Sequence, residues 1–206
     1  MSGLFDLRGK AVLVTGSTRG IGRAIAEAMI AAGARVVISS ENAADTAAVS
    51  AELGMPGCAC DVSDDDALAR LVSFTQEALG GLDILVCNAG ITGRAGAIAD
   101  IDMDDYAKVM SKAGVAQLAR NLAVEWGPRA VRVNAISPGF IATELSQPLL
   151  DNAEFMQRRM AMTPLRRPGT PAEVAGAAVF LASPAGAFVT GQNIVVDGGT
   201  LITDGS

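Results

Sequence analysis

The sequence predicts an α/β protein built on a doubly wound parallel sheet, and three observations carry that reading. Short apolar runs alternate with helical patterns along the chain, as in a parallel sheet covered by helices on both faces. The first run, residues 11–14, ends in a glycine-rich turn, Thr15-Gly16-Ser17-Thr18-Arg19-Gly20-Ile21-Gly22, which opens into a helical pattern. Half of the 206 residues are hydrophobic, 23 are glycine and only 4% are aromatic, a composition that suits closely packed strands and helices.

Residues 11–14 read as the first strand and 23–32 as its helix, with Gly33 as the stop. Residues 35–39 form the second strand, 43–53 a helix and 57–60 a short third strand. Ser63 is placed as the cap of a helix running to about Leu79, with Asp64, Asp65 and Asp66 favourably set in its first turn. Residues 82–87 are the fourth strand, and 104–125 one long helical stretch with Gly114 as a weak spot. A strand over 131–136 is broken by Pro138-Gly139, and 146–161 reads as an amphipathic helix. Thr170-Pro171-Ala172-Glu173 puts Pro at the first helical position and Glu at the third, the capping-box pattern. Residues 193–196 are a final strand, ended by Gly198-Gly199. With no repeat, linker or low-complexity segment, residues 1–206 are expected to form one domain.

A net charge of −6 argues against a nucleic-acid partner. The first six residues lack the pattern of a signal peptide, and the longest apolar runs, such as 175–182, are too short to cross a bilayer. No membrane partner and a cytoplasmic location are the expectation. The chain has no histidine, which excludes His-based triads and most zinc-hydrolase sites; no metal is expected. Acid–base work must then fall to Tyr, Lys, Ser or carboxylates. Cys58 and Cys60 lie two apart on one strand and are expected to serve as small buried hydrophobes.

The glycine spacing has a chemical meaning. Gly16 permits a tight turn, Gly20 lets the backbone approach phosphates, and Gly22 lets the helix pack against the strand. The helix N-terminus then offers unpaired N–H groups and its positive dipole end, as a dinucleotide pyrophosphate requires. Asn88-Ala89-Gly90 ends the fourth strand at the carboxyl edge of the sheet, where small residues leave room for an adenine or ribose face. By itself it equally fits an ordinary Asn-Gly-type turn. Asp61-Val62 ends the third strand, where a carboxylate can accept from an adenine amino group or simply cap a helix.

Thr15-Gly16-x-x-x-Gly20-x-Gly22, Asp61-Val62, Asn88-Ala89-Gly90, Arg132-Val133-Asn134, Ser137-Pro138-Gly139 and Val196-Asp197-Gly198-Gly199 occur together and in this order. That set resembles the short-chain dehydrogenase/reductase family over nearly the whole chain. It looks closest to bacterial-type 3-oxoacyl-carrier-protein reductases and to sugar or polyol dehydrogenases. The resemblance implies a Rossmann-like fold, NAD or NADP as cofactor, a small alcohol or carbonyl substrate, and a homotetramer or homodimer. It also implies that Gly16, Ser17, Arg19, Gly20 and Ile21 line the pyrophosphate and adenosine ribose, and that Asp61 and Val62 flank adenine. Asn88, Ala89 and Gly90 would lie beside the cofactor. Pro138, Gly139, Ile141 and Thr143 would hold the nicotinamide, Ile141 through its backbone and Thr143 through its hydroxyl. Lys112 matches the family's active-site lysine, which binds the nicotinamide ribose and lowers the pKa of a tyrosine four residues earlier. Arg19 is placed to meet a 2′-phosphate, whereas Glu41 can accept from both ribose hydroxyls of NAD and repel that phosphate. The balance leans slightly to NAD. Residues 142–167 would form a substrate-side lid with Leu145, Leu149, Leu150, Phe155, Met156 and Met160 on its inner face; a helix packed on the core fits the same pattern.

One departure matters. Four residues before Lys112 stands Lys108, and the chain's single tyrosine, Tyr106, stands six before it, about 600° around a helix. Only 24 positions separate Asn88 from Lys112, where the family has a helix, a strand with the catalytic serine and a loop delivering the tyrosine. A helix-and-strand crossover needs on the order of 30 residues. The text reads as one family helix up to Met110 and resumes inside the next at Ser111, so the fold is expected to lack one central helix–strand unit. Either the polypeptide natively lacks that unit, or a longer gene product carries it at this point. The second is favoured, because each ladder group left unpaired by a lost central strand costs roughly 1–3 kcal/mol. Two functions stand side by side: an NAD(P)-dependent oxidoreductase interconverting an alcohol and a carbonyl by hydride transfer, and a catalytically silent nucleotide-binding remnant.

Overall fold

The computed structural model describes residues 3–90 and 103–203, and the side chains of residues 103–113 lie outside that description. Its contacts divide into two compact units. The first comprises Met1–Ala89, Pro138–Ala187 and Val196–Ser206, the second Gly90–Ser137 and Phe188–Val195.

In the first unit, an unbroken apolar run makes β1 (Ala11–Thr15), and all five of its residues are buried. It pairs in parallel with β2 (Arg35–Ser39) on one side and β3 (Ile84–Val86) on the other. Continuous burial of this kind requires cover on both faces. Ala11 and Leu13 cluster with Val37, Cys60, Leu71 and Leu79, two of them from α3 (Asp65–Leu79). Val12 and Val14 point the opposite way, to the face of α1 (Gly20–Ala31) and α7 (Pro171–Ala182), whose Ile25, Ala26, Met29, Val174 and Ala178 are buried. The sheet is therefore wound on both sides, as expected. Residues 57–60 add ladder bonds to β2, with Cys58 N–H on Ile38 O (3.0 Å) and Cys60 N–H on Ser40 O (2.9 Å). Only Gly57 forms a bridge, so this run stops short of a strand. Cys60 is buried in the cluster and Cys58 packs on it.

Local hydrogen bonds move several boundaries. α1 begins at Gly20, three residues before the pattern at Arg23 suggests. α2 (Ala43–Leu53) is capped by Asn42. The cap of α3 is Asp64 and not Ser63, because the Ser63 hydroxyl donates to Asp61 while Asp64 Oδ1 accepts Asp66 and Ala67 N–H. The single helix expected over 146–161 is broken into a turn at Glu144–Ser146, α5 (Gln147–Leu150) and α6 (Ala153–Ala161). Asn152 causes the break by accepting Phe155 N–H (3.0 Å) as a new cap. The capping box at Thr170 and Glu173 is present.

The second unit holds α4 (Met103–Trp126), which runs without interruption through Met110 and Ser111. It also holds most of a second sheet, β4 (Ala135–Pro138) with β5 (Asn193–Val196). The strand expected over 131–136 starts late because side chains replace the ladder there. Thr190 Oγ1 accepts Val133 N–H (3.1 Å), and Asn134 Nδ2 donates to Val189 O (3.0 Å). Regular pairing begins when Ala135 N–H reaches Gln192 O (2.8 Å). Pro138 ends β4 at no loss, since the next donor, Gly139 N–H, takes up Val196 O (2.9 Å).

β3 differs from β1 in a telling way. Leu13 and Leu85 are register partners, yet Leu13 is 1% exposed and Leu85 53%. Among the described residues β3 is the last strand of its sheet.

Candidate cofactor site

The turn after β1 is shaped by glycines in the left-handed region, Gly16 at φ 65° and Gly20 at φ 57°. Ser17 fastens it to β2. Its N–H donates to Ser39 O (2.9 Å), and its hydroxyl accepts Ser39 N–H (2.9 Å) with the side chain fully buried. The sequence put Ser17 among the lining residues; here its hydroxyl is committed to β2. A second fastening comes from the segment that follows β3. Asn88 Nδ2 donates to both Thr15 O and Gly16 O (3.1 Å each), and Thr15 Oγ1 accepts the N–H groups of Asn88 and Ala89 (3.1 Å each). A Cβ on Gly22 would strike Gly16 O and Asn88 Nδ2, so only glycine lets α1 approach this knot. The role of Thr15 was missed from sequence; a hydroxyl at the last position of an apolar strand was the available signal.

α2, α3, α6 and α7 each open on a side-chain cap. α1 does not: Arg19 precedes it in extended geometry with no cap bond, and its first turn holds no acid. Its leading N–H groups and dipole end are thus left for an anion. The methyl of Thr143 lies 3.7 Å from where a Cβ of Gly20 would be, which brings the 138–143 segment against the turn. Ser146 holds that segment by donating to Ile141 O (2.8 Å) and accepting Thr143 N–H (2.8 Å). Ile141 is buried, and its bridge to Gly169 runs through its neighbours: Ala142 N–H on Gly169 O and Gly169 N–H on Phe140 O. A Cβ on Gly139 would lie 2.6 Å from Asp197 Cα, so the segment is pressed close to β5's end. Pro138 is exposed beside it. A glycine cradle, an uncapped helix and a threonine beside them fit a dinucleotide pyrophosphate.

Asp61 Oδ1 accepts both the N–H (2.9 Å) and the hydroxyl (2.7 Å) of Ser63, and these bonds, the backbone one first, hold its carboxyl below the usual range. One oxygen remains for a ligand. Val62 is exposed. Ile21 is half-buried at the start of α1, while Arg19 and Glu41 are exposed without an ion pair among the described residues. Gly90 follows Ala89 and belongs to the second unit. Lys112 lies on α4 with its side chain outside the described residues, as are those of Tyr106 and Lys108. No metal-binding cluster occurs among the described residues. Nor is any described helix long and apolar enough to cross a membrane. The lid's inner face is only partly as expected: Phe155 packs edge-on against Phe140 (5.6 Å between centroids, 60°), but Leu145 is 71% exposed.

Comparison with known proteins gives two family matches: the one described as short chain dehydrogenase covers residues 10–111, and the one described as Enoyl-(Acyl carrier protein) reductase covers residues 107–200. The two matches overlap over residues 107–111, within α4. A galactitol 2-dehydrogenase (L-tagatose-forming) of Cereibacter sphaeroides is 35% identical over 246 positions, covering 95% of this chain and 96% of the relative. Since 95% of 206 residues is about 196, about 50 of those positions are filled by the relative alone. A gluconate 5-dehydrogenase from Burkholderia cenocepacia J2315, solved in complex with NADP and tartrate, superposes with a TM-score of 0.90 at 27% identity, covering 97% of this chain and 98% of that one. A 7 alpha-hydroxysteroid dehydrogenase complexed with NADH and 7-oxo glycochenodeoxycholic acid gives 0.87 at 32%, covering 95% and 96%. Likeness at this level spans both halves of the sequence and the glycine turn alike, and it makes this chain a member of the short-chain dehydrogenase/reductase family, a family of oxidoreductases.

Proposed function

We propose that the chain is an NAD(P)-dependent oxidoreductase that interconverts an alcohol and a carbonyl on a small molecule, acting as one dinucleotide-binding domain over residues 1–206. The observation that carries it is the uncapped start of α1 set in a glycine turn tied down by Thr15, Ser17 and Asn88. A bound nicotinamide supplies or accepts the hydride. The N–H groups of residues 20–22 hold the pyrophosphate, and Thr143 donates its hydroxyl beside them. Asp61 and Val62 flank the adenine, Asn88, Ala89 and Gly90 border the ribose side, and Pro138, Gly139 and Ile141 support the nicotinamide. Lys112 takes the nicotinamide ribose. Glu41 receives the adenosine ribose hydroxyls, which favours NAD, with Arg19 the feature that pulls toward NADP. Exposed Leu201 and Ile202 beyond β5 support a homodimer or homotetramer, and the setting we assign is the cytoplasm.

The test is titration with NADH and NADPH, followed by nucleotide fluorescence, and then a panel of ketones, sugars and acyl thioesters. Saturable binding with NADH the tighter is expected; no binding of either refutes the reading, and tighter NADPH refutes the choice of cofactor. The second reading, a silent nucleotide-binding remnant, is favoured by one specific observation: no phenol stands four residues before Lys112. An intact mass near 20.9 kDa together with absent turnover selects it.

A further inference from the structure

Four arginines fall within ten residues near the end of the lid, Arg158, Arg159, Arg166 and Arg167, and three have evident placements. Arg166 donates to Met160 O (3.2 Å) and to Ala161 O, closing the end of α6. Arg167 grips both oxygens of Glu173 (2.9 and 2.5 Å). Arg158 is exposed to solvent. Arg159 is turned inward instead. Its guanidinium carbon lies 6.0 Å from the centroid of the Phe140 ring, and its Nε is buried with no hydrogen-bond partner. It has no ion pair among the described residues.

A buried N–H without an acceptor is unfavourable, and an aromatic face can ease the charge but cannot accept that bond as an oxygen would. The guanidinium presents a planar fork whose natural complement is a carboxylate. Its location gives the fork a purpose. Phe140, the ring it covers, stands between Gly139 and Ile141, and Phe155 fixes that ring from the side. We propose that Arg159 binds the carboxylate of the substrate, which makes hydroxy and keto acids the preferred substrate class. This rests on the reading that residues 138–143 hold the nicotinamide. The carboxylate docks on the lid, and the carbon that exchanges hydride lies further along the same molecule.

Binding, and not turnover, tests it. The 206-residue chain is titrated calorimetrically with D-gluconate and with D-glucitol, which has the same carbon chain with a CH₂OH in place of the carboxylate. Gluconate is expected to bind at least about tenfold more tightly than glucitol, the size of one charged hydrogen-bonding pair. Arg159→Met should remove that difference while leaving NADH binding and Tm unchanged. Arg159→Lys keeps the charge and the stem but loses the fork, so it should fold like the wild type and bind gluconate several-fold more weakly. Equal binding of the two probes, absent gluconate binding, or wild-type gluconate affinity in both variants overturns the proposal. A variant that melts far below the wild type without a selective loss of gluconate marks a structural clamp and overturns it too. NADH is titrated separately, so failure of the cofactor reading is visible independently of the gluconate result.

Discussion

Two helical glycines, Gly22 and Gly176, should respond to alanine with opposite signs. In α1, a Cβ on Gly22 would collide with Gly16 O and Asn88 Nδ2 and stand 2.9 Å from Gly16 C. The helix must retreat, and overpacking of this kind typically costs about 1–3 kcal/mol. Retreat also loosens the two bonds from Asn88 Nδ2, each worth about 0.5–1.5 kcal/mol. Alanine's better helix propensity returns about 1 kcal/mol. The net is a loss of about 2–4 kcal/mol, which for a chain of this length lowers Tm by on the order of 10 °C. Because the collision falls in the nucleotide turn, NADH affinity should drop with it. Gly176 is exposed in α7, and nothing lies within 4 Å of its would-be Cβ. Gly176→Ala should therefore stabilise by about 0.5–1 kcal/mol. Thermal melts followed by circular dichroism decide both. A Gly22→Ala variant that melts with the wild type and keeps its NADH affinity would show that α1 does not pack as closely as described.

Asp64→Ala should cost about 0.5–2 kcal/mol in urea unfolding and Ser63→Ala distinctly less; the reverse order would return the α3 cap to Ser63. Glu173 has its carboxyl pulled down to about 2 by Arg167 first and the Thr170 N–H second. Its folded pKa lies below the ordinary value of 4.5, so its stabilisation is present above about pH 4.5 and fades as pH falls toward 2. The gap in urea midpoint between wild type and Glu173→Gln should accordingly narrow between pH 6 and 3, and a gap that stays constant contradicts the pairing. The proposed turnover needs a gene product that carries a Ser and Tyr-x-x-x-Lys unit between Met110 and Ser111; a polypeptide of 206 residues should turn over little or not at all, since loss of general acid–base help removes about 10²–10⁴-fold in rate. Robust NAD(P)H-linked turnover by a protein verified at that mass would require another proton relay.

Elements with local signals were legible in the sequence. Residues 35–39, 43–53 and 193–196 match their observed bounds, because apolar runs and a side-chain cap such as Asn42 act within a few residues. The capping box before α7 is of the same kind. What could not be read was competition between neighbours. Ser63 and Asp64 are both good caps, and the choice is made by Asp61, which claims the Ser63 hydroxyl. The late start of β4 depends on Thr190 and Val189, more than fifty residues away in sequence. The same limit applied to the site. Glycine spacing marked the turn, but the bonds from Thr15 to Asn88 and Ala89 span over seventy positions, and no local pattern records them. Arg159 was passed over for a related reason: the pattern sorted α6 by hydrophobicity and so did not expect a cation on the side facing Phe140.

The pairing of β3 sets an order of events in amide exchange. Among the described residues β1 has ladder partners on both sides and β3 on one, so opening should start at Ile84–Val86 and reach β1 only on global unfolding. Asn88 and Ala89, which grip the turn after β1, follow directly on that least protected strand. A ligand seated in the turn can bind only when the strand is closed, and it must therefore slow exchange at β3 far more than at β1. In this chain, occupancy of the nucleotide turn and survival of the sheet's edge amount to one equilibrium, and protection of three amides would report both.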